Sequence, residues 1–561
     1  MKKNLFSSFL FLSLTITSQT TNFQWAGLLG GSAQEYMFFA STIDQSSNVF
    51  TSGTFQGPCD FDPGPGVFNI NNKAADGYIS KLDASGNFIW AKQLRSKNIC
   101  EPWAMVTDNL SNVFVTGTYV DSLDLDPGIG NFYVNSSGAF FLKLDQNGNF
   151  QWGASFTATC GACASQGYDV GVDALGNSIA TGYFTSIVDF DPGPGTYTLD
   201  AGPFSSDAYI VKLSPTGSLV WAKQLQSSAI RSTDVDASGN IIVCGEFSAI
   251  TDFDPALTTF TLDASSGATF IAKFDPNGNL IWAKQFGSGP GGTTTCWDLK
   301  VSSFGDIYVG GEFQISTDLD PGPAIVTYTT NSNADYFILK LDGTGNYQWG
   351  YTSSNVSGYE YIFSLDVDAS GDVYMTGCFD SAVDFDPGVG TYTLSSLGSE
   401  DVYHFKLDAS GNFMWANNLG GGGYNIGLGI NVDAAGSVYT VGYLNGIADF
   451  DPSPLSQTIL TPVGSEDIFV QKMSQSPLGV EQNEISKKIQ LFPNPNNGQF
   501  YFRSDNSGEL EIFNLAGQII FIEKIGRGVT KINSGSLSRG IYLYSLISDD
   551  GKQQKGKFII E

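Results

Sequence analysis

Histidine is nearly missing from this chain, which holds one, His404, in 561 residues. That disfavours zinc fingers and any Ser/His/Asp arrangement, which would rest on a single imidazole inside an apolar strand. Basic residues are scarce as well: 27 Lys+Arg stand against 56 Asp+Glu, a net charge of −29. Nucleic acid and anionic membrane are poor partners for such a surface, because their phosphates are repelled. After Ile16 no apolar run approaches the ~20 residues of a membrane helix, so no transmembrane helix is expected. No phosphate-cradling glycine loop appears, and Cys160-Gly-Ala-Cys163 lacks a second Cys pair or a His to make a zinc site.

What is present is repetition. Between Thr21 and Ser474 a unit of about 65 residues recurs seven times. One mark is a tryptophan strand, at Trp25, Trp90, Trp152, Trp221, Trp282, Trp349 and Trp415. A second is an Asp-(Phe/Leu)-Asp-Pro phrase, and a third is a strand ending in Lys81, Lys143, Lys212, Lys273, Lys340, Lys406 or Lys472. Such self-similarity means a solenoid or propeller, because one unit cannot bury its apolar face alone. Within residues 36–93, alternating apolar residues predict four strands: A at Tyr36–Asp44, B at Val49–Phe55, C at Tyr78–Leu82 and D at Phe88–Gln93. Asp-Ala-Ser-Gly-Asn phrases such as 83–87 and 236–240 make the A–B and C–D connections tight hairpins.

Four antiparallel strands per unit fit a propeller blade better than a β-helix coil. The last unit stops after its C strand, residues 468–473, whereas the first is preceded by a spare tryptophan strand, residues 22–27. Pairing the two would remove both open edges. The expected fold is all-β: a seven-bladed β-propeller over 21–474 closed by the N-terminal strand, a linker at 475–488, and a small C-terminal β-sandwich at 489–561.

The units, for instance Asp207–Ala222 (Asp-Ala-Tyr-Ile-Val-Lys-Leu-Ser-Pro-Thr-Gly-Ser-Leu-Val-Trp-Ala), resemble the bacterial seven-bladed propeller repeat family. The resemblance covers most of 23–474 and implies the fold and an extracellular habit, with no catalytic residues to carry over. The Asp-Phe-Asp-Pro-Gly-Pro-Gly insert is longer than that family's step. Residues 1–20, with Lys2, Lys3 and an apolar run from Leu5 to Ile16, read as a secretory signal peptide. At the other end, the phrases at 491–498, 510–517, 537–544 and 557–560 resemble the type A sorting domain of type IX secretion substrates. That resemblance implies a Bacteroidota-type bacterium, recognition by the type IX machinery, and release or display at the outer surface.

Charge separates the two regions. Residues 475–561 hold 10 basic and 9 acidic residues and the leader two lysines, so the repeats keep 15 basic and 47 acidic residues, about −32. The seven cysteines leave at least one unpaired. A local disulfide among Cys100, Cys160 and Cys163 is expected, with Cys244 and Cys378 as buried thiols.

Candidate site residues come from the acidic phrase: Asp60 and Asp62, Asp124 and Asp126, Asp189 and Asp191, Asp252 and Asp254, Asp318 and Asp320, Asp384 and Asp386, Asp449 and Asp451. In extended backbone residues i and i+2 share a side, so each pair would offer two carboxylates to calcium. The competing reading is structural: the aromatic anchors the insert and the aspartates cap the Pro-Gly turn. That reading is preferred, with no cofactor, because the third carboxylate of a calcium loop is lacking. The strand C lysines are expected to pair with turn aspartates such as Asp44 or Asp83. Function is expected at the end carrying the long D–A and B–C connections, where Tyr359 and Tyr361 would stack on sugar or simply begin strand A. A secreted or surface-displayed binding scaffold for a glycan, protein or surface polymer is the first reading; a polysaccharide lyase or hydrolase is the alternative, disfavoured by the uniformity of the repeats.

Overall fold

The computed structural model describes residues 19–477 and 489–560, apart from 33–34, 37–39, 73, 158–164, 203–204, 227, 255–258, 265–267, 288–291, 331–332, 354–357, 454–455, 493, 495, 497–498, 505–506, 515–517, 534–536 and 549–552. The predicted leader up to residue 18, the linker from 478, and Cys160 and Cys163 lie outside the described residues. Every described element is a strand. The chain divides into two compact units, one spanning Ser18–Pro477 and the other containing Leu478–Glu561.

In the first unit the antiparallel A–B–C–D order recurs. Five sheets have this order alone, as in Thr293–Val301, Ile307–Gln314, Asp335–Leu341 and Tyr347–Thr352. Two more run through a single path, because the long strand Phe413–Val432 is the D strand of one sheet and the A strand of the next. The last of these is completed from the other end of the chain: Gln19–Gly31 pairs antiparallel with Asp467–Pro477, Phe23 facing Met473 and Leu29 facing Ile468. Consecutive sheets touch through their A strands, and Ser41–Ile43 touches both Ile99–Thr107 and Phe413–Val432. The B and C strands bury both faces, which is why Val49–Phe55 and Asp76–Leu82 are buried throughout.

Each strand C lysine stands directly opposite the strand D tryptophan, from Lys81 and Trp90 to Lys472 and Trp25. In five of the pairs the two donors converge on one acceptor in the C–D turn of the next sheet, whereas only Lys273 of the Lys273–Trp282 pair reaches one, Gly343 O at 3.3 Å. Lys81 Nζ and Trp90 Nε1 both donate to Gln146 O, at 3.2 and 3.3 Å, and Lys472 Nζ and Trp25 Nε1 to Ala84 O, at 3.0 and 3.3 Å. The same ammonium reaches back to its own A–B turn: Lys81 lies 3.4 Å from Asp44, and Lys212 2.9 Å from Asp173. This is the lysine pairing expected from the sequence. The turn glycine is fixed twice over. Gly86 has φ +83°, and a Cβ there would collide with the Trp25 indole.

The sheet completed from both chain ends has no C–D turn to offer. Gln475 supplies the acceptor instead: its Oε1 accepts from Trp415 Nε1 at 3.1 Å and Lys406 Nζ at 3.4 Å, while its Nε2 donates to Gly436 O at 2.6 Å and Tyr374 Oη at 3.2 Å. Gln475 therefore belongs to the last strand, which reaches Pro477, three residues past the predicted boundary at 474.

The cysteine expectations need correction. Cys244 is joined to Cys296 by a disulfide, because strand B of one sheet faces strand A of the next, a proximity across units that spacing does not reveal. Cys100 is a buried free thiol and makes no local disulfide, while Cys378 is the buried thiol expected.

The second unit packs a three-stranded sheet, Ile489–Phe492, Gln499–Ser504 and Gly528–Asn533, and a four-stranded sheet, Ile519–Ile525, Gly508–Phe513, Gly540–Ser548 and Gln553–Ile560, around one core. Phe500, Phe502 and Ile532 from the first sheet meet Leu510, Ile512, Leu546 and Phe558 from the second.

Candidate functional site

Between strands B and C the chain forms a short hairpin, as in Ser122–Asp124 with Tyr133–Asn135, and the acidic phrase lies at its tip. The first aspartate of each phrase caps the tip. Asp60 Oδ1 accepts from the backbone N–H of Asp62 at 3.0 Å and of Phe68 at 2.8 Å. Asp124, Asp189, Asp252, Asp318, Asp384 and Asp449 make the same two bonds. The second aspartate caps the turn two residues on, Asp62 to Gly64 at 2.9 Å, repeated by Asp126, Asp191, Asp320, Asp386 and Asp451. Asp254 adjoins residues outside the described set.

At Gly66 a Cβ would strike Asp62 Oδ2, so glycine suits the end of this phrase, although Ala324 takes the same place in the unit of Asp318 and Asp320. The intervening aromatic is the anchor: Phe61 is fully buried, its ring 5.4 Å from Phe55 and 4.9 Å from Tyr78. Among the described residues no three His, Cys, Asp or Glu side chains gather to hold a metal ion. The donor set suits a turn cap, with each pair spending oxygens on backbone N–H groups, and does not assemble a calcium cage.

His404 is fully buried in strand C and neither ring nitrogen has a hydrogen-bond partner. Burial pushes its pKa down to about 3, so the imidazole is neutral and packs as the isoleucines at the same position of other units do.

The distinctive chemistry lies elsewhere, on the A strands and the adjoining ends of the B strands. Half-buried aromatic rings follow one another in two runs across neighbouring sheets. Trp103 meets Tyr168 at 5.3 Å, Tyr168 meets Tyr183 at 5.6 Å, Trp297 meets Phe363 at 5.9 Å, Phe363 stacks on Tyr361 at 5.4 Å and Tyr361 on Tyr359 at 6.1 Å. Arg231 closes the gap, its guanidinium 4.9 Å from the Tyr168 centroid and 5.5 Å from Trp297. Tyr361 sits within strand A and Tyr359 just before it, exposed.

Two acids share this surface, Glu246 and Glu312, each following the strand B glycine. That position is Thr54, Thr118, Tyr183, Cys378 and Tyr443 in the other units. Arg231 Nε lies 3.1 Å from Glu246. Burial raises Glu246 in spite of that partner, and burial together with the Glu246 charge raises Glu312 to about 7.

Towards the A–B turns a charged layer follows. Lys300 is held protonated by Asp298, Asp234, Asp169 and Asp366. These acids also bridge neighbouring A strands: Asp169 Oδ2 accepts from Thr233 N at 2.7 Å, Asp234 from Val301 N at 2.8 Å, Asp298 from Leu365 N at 2.9 Å and Asp366 from Val432 N at 2.8 Å. A strands too far apart to pair directly are thus tied by carboxylates.

None of these A- and B-strand residues other than Tyr359 and Tyr361 was singled out from the sequence. The available signal was the position after the strand B glycine, which takes four residue types over the seven units.

At the C-terminus the comparison with protein families is decisive. Residues 490–561 match the secretion system C-terminal sorting domain. A sorting domain of this kind implies recognition by the type IX secretion machinery and export, and the chain is a secreted or cell-surface protein. No helix among the described residues is long and apolar enough to cross a membrane.

For the repeats the likenesses are distant. An uncharacterised WD repeat-containing protein of Acanthamoeba polyphaga mimivirus is 22% identical over 519 residues, 78% of this chain and 35% of that protein, so the chain spans about a third of its relative's length. Among solved structures, the Dos1 propeller aligns at 8% identity over 80% of this chain and 95% of its own, with a TM-score of 0.40. A protein of unknown function from Bacteroides caccae aligns at 12% identity over 61% and 89%, with a TM-score of 0.30.

Proposed function

We propose that the exported chain is a seven-bladed β-propeller, closed by pairing of its N-terminal strand with Asp467–Pro477, that works as a binding module through the axial opening between its A strands. The seven A–B–C–D strand sets, the completion of the last set by Gln19–Gly31, and the contacts of Ser41–Ile43 with strands on both sides support the closed arrangement. The observation that carries the binding reading is the aromatic series from Trp103 to Tyr359. Flat, half-exposed rings offered one after another suit stacking of sugar rings, with Glu246, Glu312 and Arg231 as orienting polar groups. The seven acidic phrases serve as caps and anchors in this reading, and calcium has no part in it.

The test is a screen of the full chain against polysaccharides and bacterial surface polymers, repeated with Trp297→Ala and Tyr168→Ala. Retention of all binding by both variants would refute the axial site. A second reading, a polysaccharide lyase or hydrolase, draws on Glu312, an acid raised to about 7 among the half-buried aromatic rings and so suited to proton transfer near neutral pH. Release of new reducing ends from a bound polymer, abolished in Glu312→Gln, would favour it.

A further inference from the structure

The axial surface contains a pattern for the ligand it would take. Glu246 and Arg231 form a finished cation site: a carboxylate 3.1 Å from a guanidinium that spans the Tyr168 and Trp297 rings. Glu312 holds the same strand position one unit on, directly after Gly311 as Glu246 is directly after Gly245. Where Glu246 has Arg231 from its own A strand, Glu312 has Trp297. Among the described residues no lysine or arginine is ion-paired with Glu312; the Trp297 indole is the one hydrogen-bonding group that favours its charged form, and its Oε2 is buried without a hydrogen-bond partner. Aromatic groups flank it, Trp297 on one side and Tyr361, whose hydroxyl feels the Glu312 charge, on the other.

A half-buried carboxyl among aromatic faces is a cation site in chemistry, since ring quadrupole and carboxylate attract the same charge. The repeats around it carry about −32, which draws cations and repels anions at a distance. Ring contacts continue from Trp297 through Phe363 and Tyr361 to Tyr359, a length that exceeds one small ammonium ion and matches a chain of stacked rings.

We propose that the axial opening takes an amine-bearing glycan, whose ammonium pairs with Glu312 while its sugar rings stack along Trp297, Phe363 and Tyr361. The assignment rests on the axial binding reading above and names its ligand class. The amine completes at Glu312 what Arg231 completes at Glu246.

The experiment is calorimetric titration of the full chain at pH 8 and physiological salt with two probes of equal length. One is a glucosamine tetramer with every amine trimethylated, so that its charge is permanent; the other is the neutral N-acetylated tetramer. The charged probe is expected to bind about tenfold tighter or more, the advantage is expected to vanish in Glu312→Gln, and both probes are expected to lose binding in Trp297→Ala. Equal binding of the two probes overturns the amine assignment and leaves the stacking site standing. A charged-probe advantage that survives Glu312→Gln also overturns it, since the general surface charge then carries the preference. Unchanged binding of both probes by Trp297→Ala, or no binding of either by the wild-type chain, overturns the site together with the assignment.

Discussion

Replacing Gln475 with methionine would measure the lysine–tryptophan clamp that links each sheet to the next. In the other sheets the clamp's acceptor is a main-chain carbonyl, such as Gln146 O or Pro215 O, which no substitution removes. In the sheet assembled from both chain ends the acceptor is a side chain. Gln475→Met keeps the volume and deletes four hydrogen bonds: two accepted, from Trp415 and Lys406, and two donated, to Gly436 O and Tyr374 Oη. Neutral bonds contribute about 0.5–1.5 kcal/mol each, and Lys406 keeps Gln19 Oε1 at 2.8 Å and Asp372 at 2.9 Å, so its charge is not stranded. The expected loss is therefore about 2–4 kcal/mol, with the Trp415 N–H contributing most as a donor on a buried ring left without its acceptor. Urea unfolding followed by tryptophan fluorescence reads the total, and exchange of the Trp415 indole hydrogen reads the local part. A loss below about 0.5 kcal/mol with unchanged indole exchange would refute the view that this clamp holds neighbouring sheets together.

Three further outcomes are expected. Asp60→Ala strips two backbone N–H groups of their acceptor and should cost about 1–2 kcal/mol, Asp60→Asn much less because the amide oxygen still accepts, and EDTA should shift the melting temperature by less than a few degrees; a large chelator effect restored by calcium would reverse the structural reading. Phe61→Ala empties an anchor packed against Phe55 and Tyr78 and should cost about 3–5 kcal/mol, measured by the same unfolding experiment, against near-neutral substitution of an exposed tip residue such as Val67. Glu360, buried beside Asp335 and Asp380, is raised to about 9. Its folded form holds the proton more tightly than the unfolded chain does, so its contribution is present in acid and falls, by up to about 1.4 kcal/mol per pH unit, between roughly pH 4.5 and 9. Glu360→Gln should flatten that slope, and identical pH profiles for wild type and variant would count against a protonated Glu360.

Much of the scaffold was legible because each unit repeats the same local physics. Val49–Phe55 was read to the residue from alternation and turn chemistry, and the turn aspartates opposite the strand C lysines followed from strand geometry. The disulfide from Cys244 to Cys296 was not legible, because it depends on how strand B of one sheet faces strand A of the next. Nor was the role of Gln475, which looks like linker until the missing C–D turn of its sheet is taken into account. Tyr359 and Tyr361 were visible as aromatics, but their continuity with Phe363, Trp297 and Arg231 depends on bringing together residues about 65 positions apart on neighbouring A strands.

The same comparison separates structure from function within the repeat. The acidic phrase occurs in seven nearly identical copies, and its aspartates perform one job, capping a hairpin tip over a buried aromatic. A ligand seldom needs seven equal sites, so uniformity there argues for architecture. The position after the strand B glycine behaves in the opposite way, reading Thr, Thr, Tyr, Glu, Glu, Cys and Tyr around the units, although the flanking strand hardly changes. Packing does not demand that variety, since a small threonine fills this position in two units, Thr54 donating to Cys100 O at 2.7 Å. Charge at this position is confined to two consecutive units, Glu246 with Arg231 and Glu312, whereas the half-buried aromatics run more widely, from Trp103 to Tyr443. Uniformity of the repeats counted against an enzyme or a specific site only while the strands were compared along their length. Compared between units at this one position, Glu246 and Glu312 differ from the other five, and asymmetry of that kind is what recognition of a single directional ligand requires.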